Sequence, residues 1–238
     1  MPNGADYFRF KHFTVRQQRD VMRVNTDGVL LGAWTPEPAG HRILEVGTGT
    51  GVVALQLLQR GALQVDALDI DEQACQQAHE NANLSPWAAQ IQVLQSSFQE
   101  YAEQCDVLYE LVVSNPPYYV GSLPSPNARR NVMRHADTLP LQDLIDGLLL
   151  CLAPTGRFVA IFPVAEGSQF IALAARSGLY CRQQVQVADQ PMKRTKRLLC
   201  EFVRERCTSN LSELFIRDAS GDFSQEYRAL TEAFYLHF

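Results

Sequence analysis

Two things this sequence does not have narrow it first: an apolar run long enough to span a bilayer, and a cysteine arrangement that could hold a metal ion. The six cysteines are Cys75, Cys105, Cys151, Cys181, Cys200 and Cys207. None forms a CxxC pair, and none stands at a metal-ligand spacing from a histidine, so no metal is expected. Cys151 and Cys200 sit inside apolar runs, as reduced, buried thiols of a cytoplasmic protein do. Residues 1–11 hold aromatic and basic side chains but no continuous apolar segment, so no signal peptide is expected. Internal repeats and low-complexity tracts are missing too. So is any excess of positive charge: the net charge of −5 excludes a surface coated with cations for nonspecific phosphate binding. A local basic patch on an acidic chain stays open.

What is present is an ordinary globular composition, 46% hydrophobic and 20% charged, over 238 residues. That length suits one α/β domain with a full core and is short for two. We therefore expect a single domain over 1–238: an N-terminal hairpin extension (1–28), a catalytic core (29–206), and a C-terminal strand and helix (207–238). Nothing in the residues sets the oligomeric state, and a monomer is the default.

The segment from Tyr7 to Val15 alternates apolar and polar residues and reads as strand or hairpin. Asp20 to Val24 reads as a further short strand, and Thr26-Asp27-Gly28 as a helix start followed by the apolar body Val29–Trp34. From Arg42 onward strands and helices alternate. Strands are expected at Ile43–Val46, Val65–Leu68, Ile91–Leu94, Leu111–Val113 and Arg157–Phe162. Helices are expected at Val52–Gln59, Glu72–Asn83, Leu141–Leu152 and Glu166–Arg176. Leu179–Val187 and Arg197–Val203 read as an antiparallel pair. Glu213–Arg217 then reads as a strand, and Gln225–Leu236 as a helix with Tyr227, Leu230 and Phe234 on one face. This order predicts an α/β fold with a mostly parallel sheet covered on both faces.

The strongest local signal is Ile43-Leu44-Glu45-Val46-Gly47-Thr48-Gly49-Thr50-Gly51-Val52, an apolar strand running through alternating glycines into a helix. Glycine there permits unusual backbone angles and lets a ligand approach closely. Asp69 ends the next apolar strand, where a carboxylate can accept both hydroxyls of a ribose. Together they point to a nucleoside cofactor. A dinucleotide loop needs Gly-x-Gly-x-x-Gly, and here Val52 stands where its third glycine would be.

The loop instead resembles motif I of Rossmann-like methyltransferases, in which an acidic residue precedes Gly-x-Gly-x-Gly. The resemblance implies a seven-stranded Rossmann-like sheet and S-adenosylmethionine as cofactor, with S-adenosylhomocysteine as product. It places Gly47, Gly49 and Gly51 against the cofactor, Glu45 near its methionine end, Asp69 on its ribose and Ile70 against its adenine. Many such enzymes carry Asp after the third strand for the adenine amino group. Here Ser96-Ser97-Phe98 holds that place, and Ser97 can accept a hydrogen bond only without charge.

Leu111-Val112-Val113-Ser114-Asn115-Pro116-Pro117-Tyr118 resembles the Asn-Pro-Pro-Tyr motif IV of methyltransferases acting on conjugated amino nitrogens. Such a nitrogen is a poor nucleophile because its lone pair is delocalised. The Asn115 side-chain oxygen and the Pro116 carbonyl can each accept one N–H of the amino group and localise that lone pair. Pro117 stiffens the turn, and Tyr118 offers a face for stacking. The motif serves adenine N6, guanine N2 and glutamine amides alike.

Four blocks are similar to the bacterial tRNA1(Val) adenine-37 N6-methyltransferases: Phe10-Lys11-His12-Phe13, Thr26-Asp27-Gly28-Val29-Leu30-Leu31-Gly32-Ala33-Trp34, Asn115-Pro116-Pro117-Tyr118-Tyr119, and the tail Tyr227…Ala233-Phe234-Tyr235-Leu236. This similarity covers nearly the whole chain and implies N6-methylation of an adenine in tRNA. A glutamine-N5 methyltransferase of proteins, or a guanine-N2 methyltransferase of ribosomal RNA, is the alternative. The resemblance also places Asp27 and Gly28 beside the methionine moiety, with a plain helix cap as the other reading of Asp27. Two basic clusters, the run Lys193-Arg194-Thr195-Lys196-Arg197 and Arg129, Arg130 with Arg134, are candidates to meet phosphates flanking an extruded base.

Overall fold

The computed structural model describes residues 6–17, 21–116 and 139–237. The chain opens on an antiparallel hairpin, β1 (Tyr7–Arg9) and β2 (Thr14–Arg16), which pairs Phe8 with Val15 and forms a sheet of its own. Its apolar side is buried: the Phe10 ring stacks 4.5 Å from Phe13 and 6.2 Å from Tyr235. Asn81 clamps the hairpin by accepting from the Arg16 amide at 2.8 Å. The same side chain donates to the Arg16 carbonyl at 3.0 Å and to the Thr50 carbonyl at 2.8 Å, which fixes the hairpin to the glycine loop.

The elements that follow are α1 (Thr26–Trp34), β3 (Arg42–Val46), α2 (Val52–Gln59), β4 (Gln64–Asp69), α3 (Glu72–Asn83), β5 (Ile91–Gln95), α4 (Phe98–Gln104) and β6 (Tyr109–Ser114). After them come α5 (Leu141–Cys151), β7 (Leu152–Pro163), α6 (Val164–Arg176), β8 (Tyr180–Ala188), β9 (Arg197–Val203), β10 (Asn210–Phe215) and α7 (Gln225–Thr231). The main sheet has the order β10-β8-β9-β7-β6-β3-β4-β5 among the described residues, and β9 alone runs against the rest.

Strand alternation divides the core in two. Ile43, Val65, Leu111, Val113, Val159 and Ile161 face α1 and α2, while Leu44, Leu68, Val112, Phe158, Ala160 and Phe162 face α4, α5 and α6. Burial on both faces is why these strands read as continuous apolar runs. Close approach of α1 to α2 depends on Gly32, where a Cβ would lie 2.5 Å from Gln56 Oε1.

Several details differ from the sequence reading. Among the described residues the sheet has eight strands, because β10 joins it parallel to β8 with Leu214 opposite Val187. This strand, expected at Glu213–Arg217, runs from Asn210 to Phe215; Leu214 is the one buried residue in it, so no apolar run marks its start. Of the strand expected at Asp20–Val24, residue 20 lies outside the described residues and 21–24 form no strand; the Val24 amide donates to Gln17 Oε1 at 2.7 Å. The C-terminal helix stops at Thr231 instead of Leu236. The Lys11 amide donates to the Phe234 carbonyl at 2.8 Å, and Phe10 bridges Tyr235, pairings that a continuing helix would forbid. All six cysteines are free thiols, of which Cys207 is exposed and Cys105 half-buried. No helix among the described residues is long and apolar enough to cross a membrane.

Candidate cofactor cleft and active site

β3 has β4 on one side and β6 on the other, so the chain leaves the carboxyl ends of these strands in diverging directions and opens a crevice above them. Ser114 Oγ donates to the Val46 carbonyl at 2.8 Å, which pins the strand leading to Asn115 against the strand leading to the glycine loop. In that loop Gly47, Gly49 and Gly51 all have left-handed φ, at 79°, 55° and 78°. A Cβ on Gly47 or Gly49 would enter open space, which is the cradle a ligand would fill. Gly51 serves the scaffold instead, capping α2 with a Cβ position 3.5 Å from Ala78. It does not line the cleft.

The loop amides decide what kind of ligand fits. Those of Gly47 and Thr48 donate to the Leu68 carbonyl at 2.8 and 3.0 Å, and that of Gly51 to the Thr48 carbonyl at 2.9 Å. Gly49 N–H donates to Asp69 Oδ2 at 2.8 Å. A pyrophosphate site needs such N–H groups turned outward. Here they are spent inside the protein, which suits a nucleoside ligand without phosphates.

The cleft encloses about 520 Å³. Glu45, the glycine loop, residues 69–71 and residues 96–99 form one part of it, and Ser114, Asn115 and Leu139 another. Val21, Met22, Arg23, Asn25 and Gly28 wall it from the hairpin and α1 side. Glu45 is only 2% exposed, and its Oε2 accepts from Thr48 Oγ1 at 2.7 Å and the Ala54 amide at 3.2 Å. Burial pushes its carboxyl up to about 8 despite those two bonds. Asp69 Oδ1 accepts from the Asp71 amide at 3.1 Å; its carboxyl is raised by burial, with the backbone bonds opposing. Ile70 presents an exposed apolar side chain on the same wall.

Ser97 and Phe98 line the cleft, yet both serve the scaffold as well. Ser97 caps α4, its hydroxyl oxygen accepting from the Glu100 amide at 3.2 Å while the hydroxyl donates to Glu100 Oε2 at 2.8 Å. Phe98 is buried against α5, where a Cβ on Gly147 would lie 2.4 Å from its ring.

Asp27 is a correction. It neither lines the cleft nor caps α1: its carboxylate is paired with Arg197 Nε at 2.6 Å. The cap is Asn25, whose Oδ1 accepts from the Gly28 amide at 3.0 Å, and Asn25 itself lines the cleft. Asn115 is half-buried on the cleft wall and Pro116 is buried beside it. Pro117, Tyr118, Arg129, Arg130 and Arg134 lie outside the described residues. Lys193 and Arg194 line a separate groove, and Lys196 is paired with Asp189.

Sequence reasoning passed over Arg23, the one cation on the cleft among the described residues, together with Met22 and Asn25. Asn25 had a signal, being a strong capping type just before the apolar helix. Arg23 had none, because only the path of the hairpin brings it to the cleft.

A family model described as "Methyltransferase small domain" matches residues 25–143. The tRNA1(Val) (adenine(37)-N6)-methyltransferase of Bacteroides fragilis is 42% identical over 231 residues, covering 97% of this chain and 98% of its own. The protein of that name from Trichodesmium erythraeum is 37% identical over 238 residues, covering 99% and 100%. This chain belongs to that family. Among solved structures, a predicted O-methyltransferase from Agrobacterium tumefaciens superposes with a TM-score of 0.69 at 19% identity. The match covers 87% of this chain and 96% of that one, which shows the fold. The enzyme thus has the fold of S-adenosylmethionine-dependent methyltransferases, and its inward-turned loop amides fit that cofactor.

Proposed function

We propose that this methyltransferase methylates N6 of adenine 37 in tRNA1(Val), with S-adenosylmethionine as donor, S-adenosylhomocysteine as product and no metal. The observation that carries the reading is Asn115, standing on the cleft at the end of a strand tied to the glycine-loop strand, with the buried Pro116 next to it in the chain. When bound, S-adenosylmethionine supplies an electrophilic methyl group on a sulfonium. The residues that would hold it are Asp69 at the ribose, Ile70 and Phe98 around the adenine, Gly47 and Gly49 beneath, and Arg23 with Asn25 and Gly28 at the methionine end. Glu45 acts under the loop through Thr48 and the Ala54 amide.

The acceptor is handled by residues 115–118. Asn115 Oδ1 and the Pro116 carbonyl each accept one N–H of the adenine amino group. That geometry turns the nitrogen towards tetrahedral and directs its lone pair out of the ring, towards the methyl. The two acceptors also sit where positive charge develops, and such preorganised partners are worth most in a site shielded from water. Neither proline can offer a competing N–H. Tyr118 stacks on the extruded base. The alkylated nitrogen is acidic and loses its proton to solvent, so no general base is assigned. Lys193 and Arg194, with Arg129, Arg130 and Arg134, meet flanking phosphates; Lys196, already paired with Asp189, contributes less. The same reading makes the whole chain one cytoplasmic, monomeric catalytic domain.

The test is to incubate purified protein with labelled S-adenosylmethionine and tRNA from a strain lacking the enzyme, then digest the RNA to nucleosides. Label in N6-methyladenosine is expected, and prior dialysis against EDTA should leave the yield unchanged. Label in N2-methylguanosine alone would overturn the adenine assignment. A labelled protein band with unlabelled RNA would point to the glutamine chemistry instead.

A further inference from the structure

The hairpin turn between β8 and β9 carries a feature that the methyl-transfer site does not use. Met192 at its tip is fully exposed and has a φ of 66°, a left-handed conformation that residues with a side chain rarely adopt. The turn is braced all round. The Lys193 amide donates to the Gln190 carbonyl at 3.1 Å, the Lys196 amide to the Val187 carbonyl at 2.8 Å, and Thr195 Oγ1 to Gln186 Oε1 at 3.1 Å. Lys196 and Arg197 are neutralised by Asp189 and Asp27. Lys193 and Arg194 have no ion-pair partner among the described residues, and both are exposed. A rigid tip that presents one apolar side chain and two unpaired cations is built to meet something outside the chain.

Beside this tip lies an open groove of about 610 Å³. Met192 and the half-buried Phe215 supply apolar surface, Lys193 and Arg194 line its rim, and Gln186 and Glu213 offer hydrogen-bonding groups. The set matches an unstacked nucleotide: a ring contact for the base, polar groups for its edge, cations for its phosphate. Position supports the match. Arg197 at the start of β9 pairs with Pro163 at the carboxyl end of β7, and β7 runs parallel to β6. The groove therefore opens on the same edge of the sheet as Asn115. Between β6 and β8 stand β7 and β9, a separation of roughly 14 Å at the usual strand spacing. A neighbouring nucleotide of the same loop can bridge that span.

We infer that this groove is a second nucleotide subsite, holding the base of one unpaired nucleotide near the methylated adenine, with Met192 and Phe215 against the base and Arg194 with Lys193 at its phosphate. The inference rests on the tRNA reading above. Its test uses a series of anticodon stem-loops, each with one loop nucleotide other than the target made abasic. Binding is read by fluorescence in the presence of S-adenosylhomocysteine, for wild type and for Met192→Gly/Arg194→Glu. Glycine relieves the left-handed strain, so this variant keeps its fold. Wild type should lose about tenfold in affinity at one abasic position. The variant should bind the intact loop about tenfold more weakly and lose nothing further at that position, with S-adenosylhomocysteine affinity unchanged. Equal abasic penalties in both proteins at every position would overturn the subsite, even if adenine methylation stands. A wild type that binds these loops with the expected pattern yet methylates no adenine would overturn the activity and leave the subsite intact.

Discussion

Asp66 and Asp69 both lie on β4, and the two ends of the sheet treat them differently. Asp66 is fully buried near the amino end, where its Oδ2 accepts from Arg42 Nε at 2.7 Å and Tyr109 Oη at 2.6 Å, and its Oδ1 from Gln64 Nε2 at 3.1 Å. Glu201, also fully buried, is held by Arg182 at 2.6 Å with Arg157 3.8 Å away. Each of these carboxylates has a cation. At the carboxyl end, Asp69 and Glu45 are answered, among the described residues, by backbone amides and a hydroxyl only. A buried acid without a countercharge is destabilising, and such sites concentrate where a ligand completes them. In the proposed complex the cofactor's ribose hydroxyls would donate to Asp69, and its positively charged methionine end would lie nearer Glu45. One end of the sheet is finished by the chain itself; the other is left for a ligand to finish.

The largest test of that division is Asn115→Ala at the open end. Turnover should fall by about 10²–10³-fold, as on losing one preorganised transition-state partner. Affinity for S-adenosylhomocysteine, measured by calorimetry, should stay within about threefold. Unchanged turnover would remove Asn115 from the chemistry.

Next comes the pair on β4. Asp66→Ala should cost about 2–4 kcal/mol in urea unfolding, since Tyr109 loses a buried partner and the partly exposed Arg42 loses its countercharge. Its cofactor affinity should barely move. Asp69→Ala should do the reverse, weakening S-adenosylhomocysteine by about 10–100-fold while leaving stability within about 1 kcal/mol. If the two variants exchange phenotypes, the contrast between the ends is wrong.

Glu45 gives a pH signature. Its carboxyl is raised by burial from 4.5 to about 8, so the folded chain holds a proton that the unfolded chain releases over that window. The stabilising effect of the raised value is whole below about 4.5 and is lost as the pH climbs to about 8. Wild type should therefore lose stability relative to Glu45→Gln as pH rises through this range; a pH-independent difference would contradict the assignment. Binding of a cationic cofactor favours the charged carboxyl, so it should release a proton near pH 7. Calorimetric enthalpies measured in buffers of different ionisation heat will reveal it.

The smallest effect is at Ser97. Alanine there should cost about 1 kcal/mol of stability through the lost cap. The loss of cofactor affinity should stay under about threefold. A larger loss would mean that its place on the cleft outweighs its capping.

The strand ends that bring Gly47, Gly49, Asp69 and Asn115 to the cleft were legible because each is an apolar run closed by residues of distinct backbone or acceptor chemistry. The antiparallel β8–β9 pair and the helix limits at Val52–Gln59 and Glu72–Asn83 follow from apolar period. α4 was not legible: only Phe98 and Ala102 of it are buried, too few to set a period. Asp27 misled because its neighbours look like a cofactor motif, and no local pattern reveals that its partner is Arg197.

The positions of the central strands and the buried runs are thus written in local sequence, because apolar spacing and backbone permissiveness act over a few residues. Which side chains share the cleft is not. Arg23 reaches it through the hairpin that Asn81 anchors, Asp27 leaves it for an ion pair across the fold, and the loop amides turn inward because Leu68 and Asp69 lie beneath them. Those outcomes depend on contacts between residues far apart in the chain, and only packing brings them together.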